Sequence, residues 1–313
     1  MEMLSVKGEG GNVREAESSK VPHVEDQIGV HTRLPLLNPK QGEQQPKVMD
    51  GTVASDLMEV FSVRFVEFDK LNSSQIYGFL LISSFPTYVV FSRIDGEPLN
   101  IDSQGFVKLL GPDTVIVPND SIEIYPYLFR YEAPADQFED YDNELLWNHM
   151  FYCYFDTIMS RMVESQFGPI EVKYAAYRHG VVAHVDVTLT NCQFPSATVG
   201  GLITAQNSNL GEDGRSVLFK TDKNEGISIE ISPCKDRIAQ LPLARCKTAV
   251  PVNSSLTIYV DIWQCSITGT PHHAIIQDEK FEYVARLTGH EVRTFRGPAC
   301  QINVVVTWSH YVA

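Results

Sequence analysis

One segment of this sequence occurs twice in similar form. Residues 115–129 read VIVPNDSIEIYPYLF and residues 248–263 read TAVPVNSSLTIYVDIW, so that Tyr125 in the first matches Tyr259 in the second. Proline fixes φ, and Asn, Asp and Ser bond to nearby backbone, so each phrase predicts a turn. The apolar alternation that follows has the period of a half-buried strand. The repeat therefore predicts two similar turn-and-strand units.

Other segments return in the same order in the second half of the chain. IYGFLLI at 76–82 is matched by VGGLITA at 199–205, and YVVFSRI at 88–94 is matched by SVLFKTD at 216–222. The offsets grow from 123 to 128 to 134 residues, as a duplication with lengthening loops would. Short apolar segments bounded by Gly, Pro, Asn and Asp are typical of β-sandwiches and barrels. We therefore predict an all-β fold of two packed, duplicated β-sandwich-like units, with little helix.

The change in composition after residue 57 predicts where the ordered region begins. Residues 1–57 contain no aromatic residue and no sustained period, which is typical of a disordered leader. We predict a duplicated domain over residues 58–313, with unit one at about 58–167 and unit two at about 168–313. VVAHVDVTL (181–189) matches both the opening strand and the closing strand, so either one long strand serves both units or two strands lie side by side.

Alternation in the first and last strands of this region predicts which of their side chains lie on the same face. In the opening strand, period-2 alternation predicts that Phe61, Val63 and Phe65 share one face. In the closing strand, it predicts that Trp308 points into the core, where its indole N–H can reach a carbonyl. Residues 144–165 are ambiguous and predict a strand followed by irregular structure.

The charge of the chain argues against nucleic acid as a partner. There are 25 Lys and Arg residues against 39 Asp and Glu, a net charge of −14, and no basic cluster stands out. No segment approaches the ~20 consecutive apolar residues of a membrane helix, and the first residues do not resemble a signal peptide. We therefore predict a cytoplasmic or nuclear protein without a membrane or nucleic-acid partner.

The motifs of known catalytic and cofactor sites are absent. The sequence has no GxSxG, HExxH, paired CxxC, GxGxxG or GxxxxGK[ST] motif, so we predict no catalytic residue and no cofactor. The six cysteines are scattered singly, which favours reduced thiols over a disulfide framework. They are Cys153, Cys192, Cys234, Cys246, Cys265 and Cys300.

An acidic segment supplies the candidate residues for a metal site. Asp136, Glu139, Asp140 and Asp142 lie close together in APADQFEDYDNE, and Ca²⁺ prefers several carboxylate oxygens in flexible geometry. The same segment, residues 136–144, supports an alternative hypothesis of a hydrolase or glycosidase that uses its carboxylates. A solvated connection between strands is the simpler interpretation, and it is the one we favour.

Aromatic residues concentrate between residues 125 and 155. Aromatic side chains favour strands and supply large buried area, so core packing accounts for most of them. A minority on one face of a sheet would make a platform for a ligand.

The ordered set of segments resembles a known plant family. VFSVRFVEF, IYGFLLI, KLLGPDTVIVPNDSIEIYPYLF, GVVAHVDVTL, GGLITAQNS, VLFKTD, VPVNSSLTIYVDIWQ and CQINVVVTWSHYV follow in the order of the grass-rich family called domain of unknown function 6598. The resemblance covers residues 58–313. It implies stress or defence biology, because in cereals a similar domain follows the ribosome-inactivating domain of some jasmonate-induced proteins.

That association implies no enzymatic activity for this chain. The ribosome-inactivating domain carries a Glu and an Arg in the order E-A-x-R on a helix, whereas the nearest candidate here, Arg161 and Glu164, is reversed. We therefore favour a non-enzymatic binding module with a protein or small-ligand partner over the hydrolase alternative.

Overall fold

The computed structural model describes eleven stretches of the chain. They are residues 54–67, 76–84, 87–93, 101–109, 115–130, 149–192, 196–221, 226–230, 238–265, 273–298 and 300–310. In these stretches the one helical segment is a 3-10 turn at Glu212–Gly214, so the predicted all-β fold class is confirmed.

The strands are antiparallel throughout the three sheets. They are β1 (Ser55–Phe65), β2 (Ile76–Ser83), β3 (Thr87–Arg93), β4 (Val115–Ile116), β5 (Ser121–Arg130), β6 (His149–Tyr152), β7 (Thr157–Val163), β8 (Ile170–Thr190), β9 (Ser196–Asn207), β10 (Arg215–Lys220), β11 (Ile227–Glu230), β12 (Ala239–Gln240), β13 (Lys247–Pro251), β14 (Ser255–Cys265), β15 (His273–Val284), β16 (Gly289–Arg296) and β17 (Gln301–Ser309).

The long strand β8 organises the fold. Its first half pairs with β1 and β7, from Ile170 to Gly180, and its second half pairs with β17 and β13. His179, with φ 54°, lies at the point where the partners change. One strand therefore serves both halves of the molecule. The predicted division near residue 167 stays a prediction, and it would place β8 in a different unit from its partners β1 and β7.

Two smaller sheets cover the two halves of the β8 sheet. The first sheet, in the order β3-β2-β5-β6, packs on β1 and the first half of β8. The second sheet, in the order β10-β9-β14-β15, packs on β17 and the second half of β8. Each packing encloses an apolar core. A third, smaller apolar cluster lies between the halves and includes Leu57, Phe61, Val115, Ala175, Tyr177, Val182 and Ala249.

The two smaller sheets share their register. Tyr125 faces Leu81 in the first sheet, and Tyr259 faces Thr204 in the second, at the offsets of 134 and 123 residues read from the sequence. The glycines at matching positions of the two sheets also have similar backbone conformations. Gly78 has φ 132° and Gly201 has φ 150°, and a Cβ on either would collide with a carbonyl oxygen of the facing strand. The duplication that would explain this shared register stays a prediction and is taken up as a proposal below.

The start of the fold lies slightly earlier than predicted. Most of the predicted leader, up to residue 53, lies outside the described residues. Ser55, Asp56 and Leu57, however, belong to β1, and Leu57 is fully buried in the cluster between the halves. The domain therefore includes these three residues.

The side chains of the closing strand alternate between core and surface as predicted. Ile302, Val304, Val306 and Trp308 are buried in the second core, and Trp308 is 2% exposed. The predicted hydrogen bond is wrong, because the Trp308 indole N–H has no partner among the described residues. The indole lies in an apolar cluster, and the backbone of β17 is already paired with β8 on one side and β16 on the other.

Asp102 links a turn of the first half to the second sheet. Its Oδ1 accepts hydrogen bonds from the backbone N–H groups of Gln104 (2.9 Å) and Phe106 (3.0 Å), and its Oδ2 accepts one from Lys220 Nζ (3.0 Å). Burial alone would raise the pKa of Asp102, but these donors outweigh it and hold the pKa below its usual value of 3.8.

We expect Asp102→Ala to lower the free energy of unfolding by about 1–2 kcal/mol at neutral pH, because two backbone donors lose their acceptor. A carboxylate with a lowered folded pKa stabilises above its unfolded pKa, and this contribution disappears as the pH falls through the folded value. Urea denaturation of both proteins at about pH 7 and about pH 3 measures it. Equal differences at both pH values would show that ionised Asp102 adds nothing.

Candidate functional site

The predicted acidic candidates lie outside the described residues. Asp136, Glu139, Asp140 and Asp142 fall in the stretch between residues 130 and 149, so the metal site and the hydrolase hypothesis that depends on this segment stay predictions. Within the described stretches, no group of three or more His, Cys, Asp or Glu side chains could hold a metal ion. In the same part of the chain, no helix is long and apolar enough to cross a membrane.

The strongest candidate site is the outer face of the first sheet. Strand alternation buries Ile76, Leu80 and Ile82 of β2 in the core and turns the residues between them outward. The same alternation in β5 buries Ile122, Ile124 and Leu128. Six of the outward positions of the two strands carry large apolar side chains, five of them aromatic: Tyr77, Phe79, Leu81, Tyr125, Tyr127 and Phe129.

The antiparallel register brings these rings into contact across the strands. Tyr77 faces Phe129 with ring centroids 5.4 Å apart, and Phe79 faces Tyr127 at 4.8 Å. Along β5, the rings of Tyr125 and Tyr127 are 6.3 Å apart. The planes in these pairs differ by only 24° to 32°. Aromatic pairs of this kind contribute about 0.5–1.5 kcal/mol beyond their buried area. The rings are therefore preorganised in a rigid row that is partly open to solvent.

Apolar side chains continue this surface to both edges of the sheet. Val89 of β3 faces Leu81 and is 43% exposed. On β6, Met150 is 60% exposed and Tyr152 is 67% exposed. We call these three residues and the six large apolar outward residues of β2 and β5 the aromatic face. Large exposed apolar patches are rare on monomeric proteins and mark sites of interaction.

One carboxylate lies on the aromatic face. The hydroxyl group of Tyr125 donates a hydrogen bond to Glu123 Oε2. This hydrogen bond, together with burial and the negative charge of Glu123, raises the pKa of Tyr125 to about 12. Tyr125 therefore remains a neutral donor at physiological pH and fixes the position of Glu123.

The corresponding face of the second sheet has different chemistry. The pair Phe79 and Tyr127 is matched in register by Leu202 and Asp261, which face each other on β9 and β14. Tyr259 is covered by the guanidinium of Arg215, 4.6 Å from its ring centroid. The row of stacked rings is thus a property of the first sheet, and the second sheet provides a control with the same backbone.

A family model described as "Domain of unknown function (DUF6598)" matches residues 57–306. The chain belongs to this family. The family resemblance read from the sequence is therefore confirmed, whereas the plant and stress setting stays a prediction.

The other comparisons add little about the DUF6598 chain. No curated protein matches it. Among solved structures, it is similar to human GIVD cytosolic phospholipase A2, with 8% identity and a TM-score of 0.21. The match covers 82% of the DUF6598 chain and 33% of the phospholipase chain, so this chain spans about a third of that enzyme. A likeness at that score supports no statement about activity.

The DUF6598 chain also contains a buried charge pair that the sequence reasoning missed. Glu59 of β1 and Arg245, which precedes β13, are each 1% exposed, and Arg245 Nη2 lies 3.1 Å from Glu59 Oε1. The carboxylate also accepts hydrogen bonds from Thr248 Oγ1 (2.6 Å), the Ala249 N–H (2.8 Å) and Ser216 Oγ. Glu59 is thereby hydrogen-bonded to residues of the second half of the chain.

Burial dominates the electrostatics of this pair. It raises the pKa of Glu59, against the lowering effects of Arg245, Ser216, Thr248 and the Ala249 N–H, and it lowers the pKa of Arg245. A carboxylate that is 1% exposed has no surface for a substrate, so we interpret the pair as a structural link. The available sequence signal is the acid in the apolar run Leu57-Met58-Glu59-Val60-Phe61.

Proposed function

We propose that this DUF6598 chain is a non-enzymatic binding module whose aromatic face binds a protein. The observation that carries the proposal is the row of stacked rings across β2 and β5, which is partly exposed to solvent on the first sheet and absent from the matching positions of the second.

The composition of the aromatic face supports a protein partner. Tyr, Phe and Met are enriched in the cores of protein interfaces, and charged residues are depleted there. Tyrosines supply both apolar area and a hydroxyl group, and they are frequent among the residues that dominate binding energy. The rings stack mainly on one another, which leaves edges and hydroxyl groups for contact instead of flat sugar-binding surfaces. An apolar and partly polar protein surface fits this arrangement better than a pyranose ring.

The charge of the chain supports a partner with a basic rim. A net charge of −14 attracts a positively charged protein during encounter and repels an acidic one. The resemblance to the plant family adds the proposal that the partner belongs to stress or defence responses. The cytoplasmic or nuclear setting remains a prediction.

We also propose that the two halves arose by duplication and that one copy carries the binding face. The shared strand order, the matching register of the paired strands and the two glycines with positive φ, Gly78 and Gly201, support this origin. A crystal structure in which Tyr125 and Tyr259 occupy different positions in their sheets would contradict it.

We expect Phe79→Thr/Tyr127→Thr to weaken partner binding at least about 30-fold, since truncation of residues that dominate an interface costs about 2 kcal/mol or more. Threonine favours strands, so the sheet should persist. Affinity capture from stressed grass leaf, with the full chain as bait, followed by titration of the purified captured protein, measures the effect.

The matched control is Leu202→Thr/Asp261→Thr, which changes the facing pair at the same register positions of the second sheet. The proposal predicts a partner that the wild type and this control both retain and that Phe79→Thr/Tyr127→Thr loses. If all three baits retain the same proteins equally, or if none captures a partner dependent on the aromatic face, the proposal is wrong. Ring-dependent binding to an oligosaccharide array, without a protein partner, would replace the protein with a carbohydrate and so contradict it as well.

A further inference from the structure

Two buried cysteines meet where β8 ends and β17 begins. The ladder between these strands runs from Ser309 and Val182 to Gln301 and Thr190. One step further, a regular ladder would place Asn191 opposite Cys300, on the core side with Leu189 and Ile302.

A kink in the backbone puts Cys192 in that place. Asn191 has φ 54°, in the left-handed region, and its side chain is exposed to solvent. Cys192 follows it and is 1% exposed, and Cys300 is 5% exposed in the same apolar cluster. The left-handed residue thus interrupts the alternation and turns Cys192 to the core face that Cys300 already occupies.

The two side chains are in contact. A hydrogen bond with the Cys192 thiol, followed by burial, raises the pKa of Cys300 far above its usual value of 9.0. A disulfide requires Cβ atoms ~3.5–4.5 Å apart and Cα atoms ~4.4–6.8 Å apart. Because the two thiols already share a hydrogen bond at the end of the ladder, a small closing movement is sufficient to bridge them.

We propose that Cys192 and Cys300 form a reversible disulfide when the protein is exposed to a peroxide. In the first step one thiol attacks hydrogen peroxide, which gives a sulfenic acid and water. In the second step the other thiol displaces this hydroxyl group, which gives the S–S bond and a second water. The pair loses two protons and two electrons, which reduce the peroxide to two waters. A dithiol reductant reverses the reaction by thiol–disulfide exchange.

The burial of the two thiols determines how fast they are oxidised. Both thiols are buried, the pKa of Cys300 is raised by its hydrogen bond with Cys192 and by burial, and the thiolate is the reactive species. The first step is therefore slow under reducing conditions and requires sustained oxidant. Once formed, the bridge joins two places far apart in sequence, and it fastens the closing strand to β8. Loops of this size give the larger stabilisations in the loop-entropy account.

The test uses the full chain with wild-type cysteines, so that it does not depend on a variant that folds. The reduced protein is treated with a graded series of hydrogen peroxide, its remaining thiols are alkylated, and a non-reducing digest is analysed by mass spectrometry. We expect a cross-linked peptide that joins Cys192 to Cys300, lighter by two hydrogen atoms and lost on treatment with dithiothreitol. We also expect the midpoint of thermal unfolding to rise by ~5 °C or more on bridging.

The matched controls are Cys192→Ala, which should lose both the cross-link and the rise, and Cys153→Ala, which should keep both. The proposal is wrong if Cys192 and Cys300 remain alkylatable at peroxide levels that oxidise the other cysteines. It is equally wrong if they end as sulfinic acids or bridge to other cysteines.

Discussion

Arg245→Ala is expected to lower the free energy of unfolding by about 3–5 kcal/mol, because it leaves the Glu59 carboxylate buried without its counter-charge. The pair lies where the two halves of the molecule meet, and the remaining donors on Glu59 are neutral. Urea denaturation followed by circular dichroism measures the loss. The control is Arg286→Ala, since Arg286 is 57% exposed and pairs with Glu291 at 3.6 Å. An exposed pair of this kind contributes about 0–1 kcal/mol.

The pH dependence of this loss has a definite sign. Arg245 lowers the pKa of Glu59, so its removal raises that pKa further above the usual value of 4.5. A group with a raised folded pKa stabilises below its unfolded pKa and loses that contribution as the pH rises through the folded value. The difference in unfolding free energy between wild type and Arg245→Ala should therefore be largest at about pH 8 and smaller at about pH 5. A pH-independent difference would mean that lost packing, not charge, determines the effect.

A double variant separates charge from structure. Glu59→Leu/Arg245→Met removes both charges, and apolar replacements of buried pairs are often tolerated. Here Ser216, Thr248 and the Ala249 N–H lose their shared acceptor, so we expect only part of the Arg245→Ala loss to be recovered. If the double variant is less stable than Arg245→Ala alone, the buried carboxylate is not the source of the cost.

Trp308→Ala is expected to cost about 3–5 kcal/mol of unfolding free energy, the range for truncation of a large core aromatic residue. The indole is 2% exposed and packs in the second core, and β17 is the central link between β16 and β8. Thermal and urea denaturation measure the loss, and hydrogen exchange of β17 should increase with it.

Trp308→Phe provides the matched control. Because the indole N–H has no hydrogen-bond partner among the described residues, phenylalanine removes no polar contact that the structure shows, and a cost of at most about 1–2 kcal/mol is expected. A Trp308→Ala protein that is as stable as the wild type and has lost only partner binding would contradict the interpretation of Trp308 as a core residue. That result would move the functional site to this end of the second half.

The sequence was most informative where one face of a strand is buried. Period-2 alternation identified β2, β5, β14 and β17, and it placed Trp308 correctly. It failed where apolar residues pack on both faces of a half-exposed strand. In β7, Ile158 packs on the cluster between the halves while Met159 packs on the first core, so no alternation marks the strand, and this segment was predicted to be irregular.

The opening strand shows a second limit. Phe61, Val63 and Phe65 were predicted to share a face, but the register of β1 on β8 shifts between Val60 and Ser62. This irregularity turns Phe61 to the cluster between the halves, while Val63 and Phe65 stay in the first core. A local register shift depends on tertiary pairing and has no signal in a single strand.

The candidate site was only partly predictable. The concentration of aromatic residues suggested a platform, but whether Tyr125 and Tyr127 point to the core or to solvent depends on the pairing of β5 with β2, residue by residue. The partners of Glu59 are even less accessible from sequence, because Ser216, Arg245 and Thr248 lie more than 150 residues away along the chain.

The central claim is that the first sheet binds the partner through its outer face. Hydrogen exchange of the backbone amides, with and without the captured partner protein, tests it most directly. We predict slower exchange in β2, β5 and β6 on binding, with β9 and β14 unchanged, and no protection in Phe79→Thr/Tyr127→Thr at the same concentrations. Protection confined to β9 and β14, or protection of the first sheet that persists in that variant, would contradict the claim.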